Sequence, residues 1–314
     1  MLHKKVCLGL ALLLLTAGGT SAAARSSSSD SGLIVFSRAD ASGRYGLFTV
    51  APDTRQVRRV TRACGWDWFP AWSPDGGQIA FSRACSDTSG LDLYVVGANG
   101  KGVRRLVHTR TSDEWPTWSP DGSKIAFVSG EPSLTKPGQK NIDPEVWVVG
   151  ADGHGLKRLT NNDVQDTSPA WSPDGKWIAF VRVAKGTNHG RIWIISAGGR
   201  NAHPLGLRGG EPAWSPDGTQ LAFAHARSGV SRETVDLYIA NANGSGLRRL
   251  THERTGWVSH HPSWSPDGRS IVYMRGRGLW TIGANGRGAR QLTRSSREDV
   301  DPDWWKPAVS NGTG

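Results

Sequence analysis

The sequence predicts an all-β fold: a six-bladed β-propeller of four-stranded antiparallel blades, closed by three N-terminal strands and one C-terminal strand. Three observations predict it. A unit of the form P-x-W-S-P-D-G-x-x-I-A-F recurs at 70–81, 116–127, 169–180, 212–223 and 262–273. A decayed sixth copy, PDWWKP at 302–307, puts Trp304 in register with Trp72, Trp118, Trp171, Trp214 and Trp264, at spacings of 46, 53, 43, 50 and 40 residues. No window carries a convincing helical period, and 40 Gly with 17 Pro in 314 residues exclude a coiled coil. The 15 Trp against 7 Phe are what copying one Trp-bearing unit produces.

Residues 1–24 read as a secretory signal peptide: basic His3-Lys4-Lys5, an apolar run from Val6 to Ala17, then small residues ending in Ala22-Ala23-Ala24. The apolar run is shorter than the ~20 residues a membrane span needs, and no later segment is apolar enough, so the mature chain is expected to lack a transmembrane segment. Residues 25–32 form a flexible leader, 33–307 the propeller and 308–314 a disordered tail.

Within each unit the first strand ends in P-x-W-S. The S-P-D-G turn follows, with Pro pre-setting φ and Gly taking a conformation that side chains resist. The second strand is I-A-F-like, with Ile79 and Phe81 on one face and Ala80 on the other. The third is an apolar run such as Leu93 to Val96. A turn such as Ala98-Asn99-Gly100 leads to an R-R-L-T-like fourth strand such as Arg248 to Thr251. The chain begins on a second strand, Leu33 to Arg38, and ends on an orphan first strand around Trp304, so the two ends complete one blade. The repeated Trp are read as core between blades.

These motifs resemble the repeat of TolB-like six-bladed propellers over about 33–307. The resemblance implies an exported, non-catalytic protein of the bacterial envelope, periplasmic or extracellular, that binds a protein or peptide partner. TolB itself binds a peptidoglycan-associated lipoprotein through its propeller and adds an N-terminal α/β domain. Here only about eight residues separate the expected cleavage site from the first strand, which leaves no room for that domain. The repeat also gates prolyl-oligopeptidase-like enzymes, but the sequence holds no G-x-S-x-G, P-loop, H-E-x-x-H or C-x-x-C.

The formal charge of +11 falls to +9 without Lys4 and Lys5, and the Arg are scattered through the repeats, so nucleic acid is not an expected partner. A monomer is expected. The variable connections, including 129–145 and 225–236, lie at the end opposite the S-P-D-G turns, where binding is usually placed. Three positions before each Pro stand Asp67, Asp113, Asp166, Gly209, Ser259 and Asp299. Immediately before it stand Phe69, Trp115, Ser168, Glu211, His261 and Asp301. With Trp68, Glu114 and His260 between, these make an acidic and aromatic rim at the channel mouth. Three readings stay open: local turn hydrogen bonds by the Asp residues, recognition of a cationic or polar peptide, or a channel that holds Ca²⁺ or a transition metal in a hydrolase or lyase. The favoured expectation has no catalytic residues and no cofactor.

Cys64 and Cys85 are the only Cys left after signal removal and lie equally far from the centre of the Ser73-Pro74-Asp75-Gly76 turn. They are expected to face each other as a disulfide across the open end of that hairpin.

Overall fold

The computed structural model describes residues 32–62, 64–85, 90–130, 143–187, 190–227 and 234–305. The expected signal peptide, nearly all of the expected leader, the expected C-terminal tail and much of both long inserts lie outside the described residues. Among the described residues there are strands but no helix, and so none long and apolar enough to cross a membrane.

In chain order the strands begin with β1 (Leu33–Ala39), β2 (Tyr45–Val50), β3 (Val57–Arg59), β4 (Trp66–Trp72), β5 (Gln78–Ala84), β6 (Asp92–Gly97), β7 (Arg104–Val107) and β8 (Asp113–Trp118). They continue with β9 (Lys124–Ser129), β10 (Glu145–Gly150), β11 (Lys157–Arg158), β12 (Gln165–Trp171), β13 (Trp177–Val183), β14 (Gly190–Ser196), β15 (His203–Arg208) and β16 (Gly210–Trp214). The last are β17 (Gln220–Ala226), β18 (Val235–Asn241), β19 (Arg248–Arg249), β20 (Ser259–Trp264), β21 (Ser270–Arg275), β22 (Gly278–Gly283), β23 (Arg290–Gln291) and β24 (Asp299–Trp305).

The fold is a β-propeller. Four sheets hold four strands each: β8–β11, β12–β15, β16–β19 and β20–β23. The fifth has eight, in which β24-β1-β2-β3 joins β4-β5-β6-β7 through one parallel bridge between Tyr45 and Trp66. The C-terminal β24 pairs antiparallel with β1, from Leu33 opposite Trp305 to Arg38 opposite Asp299. The first and last described strands thus meet in one sheet.

The core lies between neighbouring sheets. The second-strand aromatics Phe36, Phe81, Phe127, Phe180, Phe223 and Tyr273 are all fully buried, each such burial being worth roughly 1.5–3 kcal/mol. On one flank Ile34 and Phe36 of β1 pack with Val272 and Leu279; on the other Val35 and Leu47 pack with Trp72, Ile79 and Phe81. The repeated Trp pack in these seams as expected. Trp118, Trp214 and Trp264 also donate Nε1–H to the carbonyls of Ala71, Ala170 and Ala213 in the preceding sheet, at 3.1–3.2 Å.

The S-P-D-G turns fold as the sequence predicts. Asp75 accepts the Ser73 hydroxyl at 2.5 Å and the Gly77 N–H at 2.9 Å, and the same lattice recurs at Asp121, Asp174, Asp217 and Asp267. Gly76 is doubly constrained: φ is +67°, and a Cβ there would lie 2.0 Å from the Trp305 ring. Cys64 and Cys85 form the expected disulfide. Next to it, Tyr45 donates its N–H to the Gly65 carbonyl at 3.0 Å, beside the Tyr45–Trp66 bridge.

Candidate functional site

Each Trp-bearing strand carries a β-bulge. In β4, Trp68 faces Ser82 and Ala71 faces Ala80, so one extra residue sits between them. The same shift recurs in β8, β12, β16, β20 and β24. The Pro has no N–H to donate and suits this interruption of the ladder. The residue before it is held in the left-handed region: Phe69, Trp115, Ser168, Glu211, His261 and Asp301 have φ of +50° to +56°. Such backbone is costly for residues with a side chain. The result is one geometry repeated around the axis, in which all six side chains line a single central cavity of about 490 Å³.

The cavity wall has two halves. On one, the Phe69 and Trp115 rings lie 4.9 Å apart, with Ser168 beyond. On the other, His261 bridges two carboxylates: Nε2 is 3.2 Å from Glu211 and Nδ1 is 3.0 Å from Asp301. Both ring nitrogens of His261 thus face a carboxylate oxygen. Phe69 joins the halves, because its ring stacks on His261 at 6.2 Å and its N–H donates to Asp301 at 3.3 Å. Glu211 likewise accepts the His261 N–H at 2.7 Å, and the His260 ring lies 3.6 Å from it. Each carboxylate therefore holds the bulge of the next Trp-bearing strand.

Electrostatics separates the two acids. Burial works against ionisation of Glu211, but the facing His261 and His260 outweigh it and bring the carboxyl down to about 2. Burial dominates at Asp301 and pushes it up, with His261 opposing. Deeper in the cavity, Asp303 is pushed up by burial while accepting N–H from Trp72 at 2.8 Å and O–H from Ser263 at 3.1 Å. No Lys or Arg is among the described residues that line the cavity.

The expected rim of aspartates is not at the opening. Asp67, Asp113, Asp166 and Asp299 are fully buried. Asp67 pairs with Arg83 at 2.6 Å, Asp166 with Arg182 at 2.7 Å and Asp299 with Arg38 at 2.5 Å, each Arg on the adjoining second strand. On the far side the guanidinium lies over an aromatic ring, as Arg182 does over Trp193 at 4.3 Å. Among the described residues no Arg pairs with Asp113 in this way. It accepts from Thr109, and burial lifts its carboxyl to about 6 against the hydrogen bonds of Ser129 and Thr109. At the fourth position Gly209 replaces Asp, because a Cβ there would lie 2.5 Å from the Ala224 carbonyl oxygen and 2.6 Å from the Phe223 ring. The bulge is the physical cause: it turns the residue before Pro to the channel and leaves the earlier Asp inside the sheet seam.

Trp68 and Glu114 do not line the cavity. Trp68 is half-buried among Tyr45, Trp66 and Phe69, with the Tyr45 ring edge-on at 5.6 Å. Glu114 is partly buried, which raises its pKa despite a hydrogen bond from Ser112. Two features escaped the sequence reading. One is Asp303, which stands where the other copies have Ala, Thr or Ser before Trp. The other is the set of neutralising arginines, announced by the Arg two residues after the I-A-F aromatic.

A family model described as the TolB beta propeller domain (PD40) matches residues 41–136 and 132–307. The chain belongs to the PD40 family. Among the curated relatives it matches, the Tol-Pal system protein TolB of Rhizorhabdus wittichii is 40% identical over 60 residues, 19% of this chain and 13% of the relative. That of Zymomonas mobilis is 43% identical over 56 residues, 18% and 12%. The matches thus span about an eighth of those relatives' length. The crystal structure of TolB from Acinetobacter baumannii has a TM-score of 0.71 at 23% identity, covering 88% of this chain and 67% of that one. An oligogalacturonate lyase in complex with manganese reaches 0.52 at 17% identity, covering 74% and 68%. At these identities the structural likeness is one of fold.

Proposed function

We propose that this chain is an exported, monomeric, six-bladed propeller, the eight-stranded sheet counting as two blades, which binds a protein or peptide partner in the bacterial envelope without catalysis. The observation that carries the reading is the convergence of six unlike side chains, on six bulged strands, at one channel mouth. A repeat that only had to close a ring would have no need of Phe, Trp, Ser, Glu, His and Asp at one equivalent position. Rigid aromatic anchors beside a few placed charges are how binding surfaces concentrate their energy. PD40 membership and the stretches shared with Tol-Pal proteins support an envelope setting.

The metal-dependent hydrolase or lyase is the weaker reading. Among the described residues no three His, Cys, Asp or Glu side chains are arranged to hold a metal ion. Both oxygens of Glu211 and of Asp301 already face a backbone N–H or a ring nitrogen of His261. A polyanionic sugar like that of the manganese-bound neighbour would meet carboxylates and no Lys or Arg.

The test is capture from envelope extract by immobilised protein, comparing wild type with a Trp115→Ser, Glu211→Gln double variant. Loss of a specific captured band in the double variant supports the channel mouth. Equal capture by both proteins counts against it.

A further inference from the structure

We propose that the channel mouth is a socket for a lysine side chain presented by the partner. The methylene stem would lie against Phe69 and Trp115, and the ammonium would reach the carboxylates of Glu211 and Asp301. This rests on the reading of the mouth as the partner site and names the group that enters it.

Three observations carry it. The aromatic and acidic halves of the wall are contiguous, since Phe69 touches Trp115 with its ring and is held by Asp301 through its N–H. A ligand that fits both halves at once must be apolar along its length and cationic at its tip, which is the build of a lysine side chain. The charge is one-sided: three carboxylates, one imidazole and no Lys or Arg line the cavity, in a chain of net charge +11. Glu211 stays ionised at all ordinary pH, is a quarter exposed, and so keeps a charged face open to the channel.

The choice of lysine over arginine follows from the lone pairs. A guanidinium binds best when both oxygens of one carboxylate are free for its fork. Here Glu211 already takes His261 on each oxygen, and Asp301 takes His261 on one and Phe69 on the other. Each oxygen keeps at most one further lone pair, and that of Glu211 Oε1 is also faced by His260, so neither carboxylate presents two open oxygens side by side and the lone pairs left must be taken one at a time. A compact ammonium with three rotatable donors can use these; a rigid fork cannot. An ammonium next to aromatic faces also gains from their quadrupoles.

The test needs no partner. Wild-type protein labelled at its indole nitrogens is titrated with n-pentylammonium, 1-pentanol and n-butylguanidinium at fixed ionic strength, and the Trp115 indole signal (assigned with Trp115→Phe) is followed. The expected result is saturable binding of n-pentylammonium about ten-fold tighter than either other probe. Glu211→Gln is expected to remove that preference, and Asp75→Asn, at the opposite end of the channel, to leave it. Should Glu211→Gln fold poorly, the three-probe comparison on wild type still decides. Pentanol or butylguanidinium binding as tightly as pentylammonium overturns the lysine socket. Because the probes are read apart from any captured partner, the socket can fail while channel-dependent capture persists, and capture can fail while the socket stands.

Discussion

Asp303 accepts the backbone N–H of Trp72 at 2.8 Å, across 231 residues of chain. Trp305 adds a second tie, its Nε1–H donating to the Pro74 carbonyl at 3.0 Å. The last strand is therefore fastened to β4 as well as paired with β1, and it carries the closure of the propeller. Deleting 302–314 exposes an unpaired strand edge and the apolar residues behind it. The thermal midpoint should fall by at least about 10 °C, or the protein should aggregate. A truncated protein that melts where the full chain does would refute closure by β24.

The Asp–Arg pairs and Asp113, which among the described residues accepts from Thr109 and Ser129 instead of an Arg, should respond in opposite ways to the same substitution. Asp166→Asn leaves the partly buried Arg182 over Trp193 without its counter-charge, at a cost of about 3 kcal/mol in urea unfolding.

Asp113 is raised to about 6 by burial, so the native state binds its proton more tightly than the unfolded chain does. Its ionised form costs stability above about pH 6, and that cost fades as pH falls towards 4. Asp113→Asn should then stabilise by up to about 2 kcal/mol at pH 8 and be nearly neutral at pH 4. Equal destabilisation at both pH values would contradict the assignment.

Glu211 has the opposite sign. Its folded pKa of about 2 lies below the ordinary 4.5, so its contribution is whole above about 4.5 and is lost as pH falls through 2. Glu211→Gln should flatten this acid limb of the stability curve. A limb of unchanged steepness would show that the contact with His261 contributes nothing to folding.

The Cys64–Cys85 bridge closes a loop with a sequence separation of 21, for which chain entropy gives about 3 kcal/mol. Reduction by dithiothreitol should lower the midpoint by several degrees. Two free thiols in the unfolded, unreduced protein would count against the bridge itself.

Much of this was legible in the sequence. The S-P-D-G turns, the I-A-F strands and the mismatch between the first and last strands placed the strands and the closing pair, because turn chemistry and period-2 patterning are local. The disulfide followed from symmetry about one such turn. The site was legible only in outline. Reading three positions before Pro picked Asp67 and Asp166 as rim residues, since a regular strand carries alternate residues to one face. The bulge inserts one residue and changes that parity, so Glu211 and His261 face the channel and the Asp residues face Arg83 and Arg182. No local signal marks a bulge beyond the recurring x-Pro. The cross-sheet ties of Asp303 and Asp301 depend on contacts between residues more than two hundred positions apart.

The most direct test of the channel mouth as the binding site is site-specific photo-cross-linking in the living cell envelope. A benzophenone side chain is placed at Ser168, on the open stretch of the cavity wall, and in a second protein at Asp217, in a turn at the other end. The account predicts a discrete cross-linked partner from position 168 and none from 217. Cross-links from 217 alone would place the binding surface on the opposite face and contradict it.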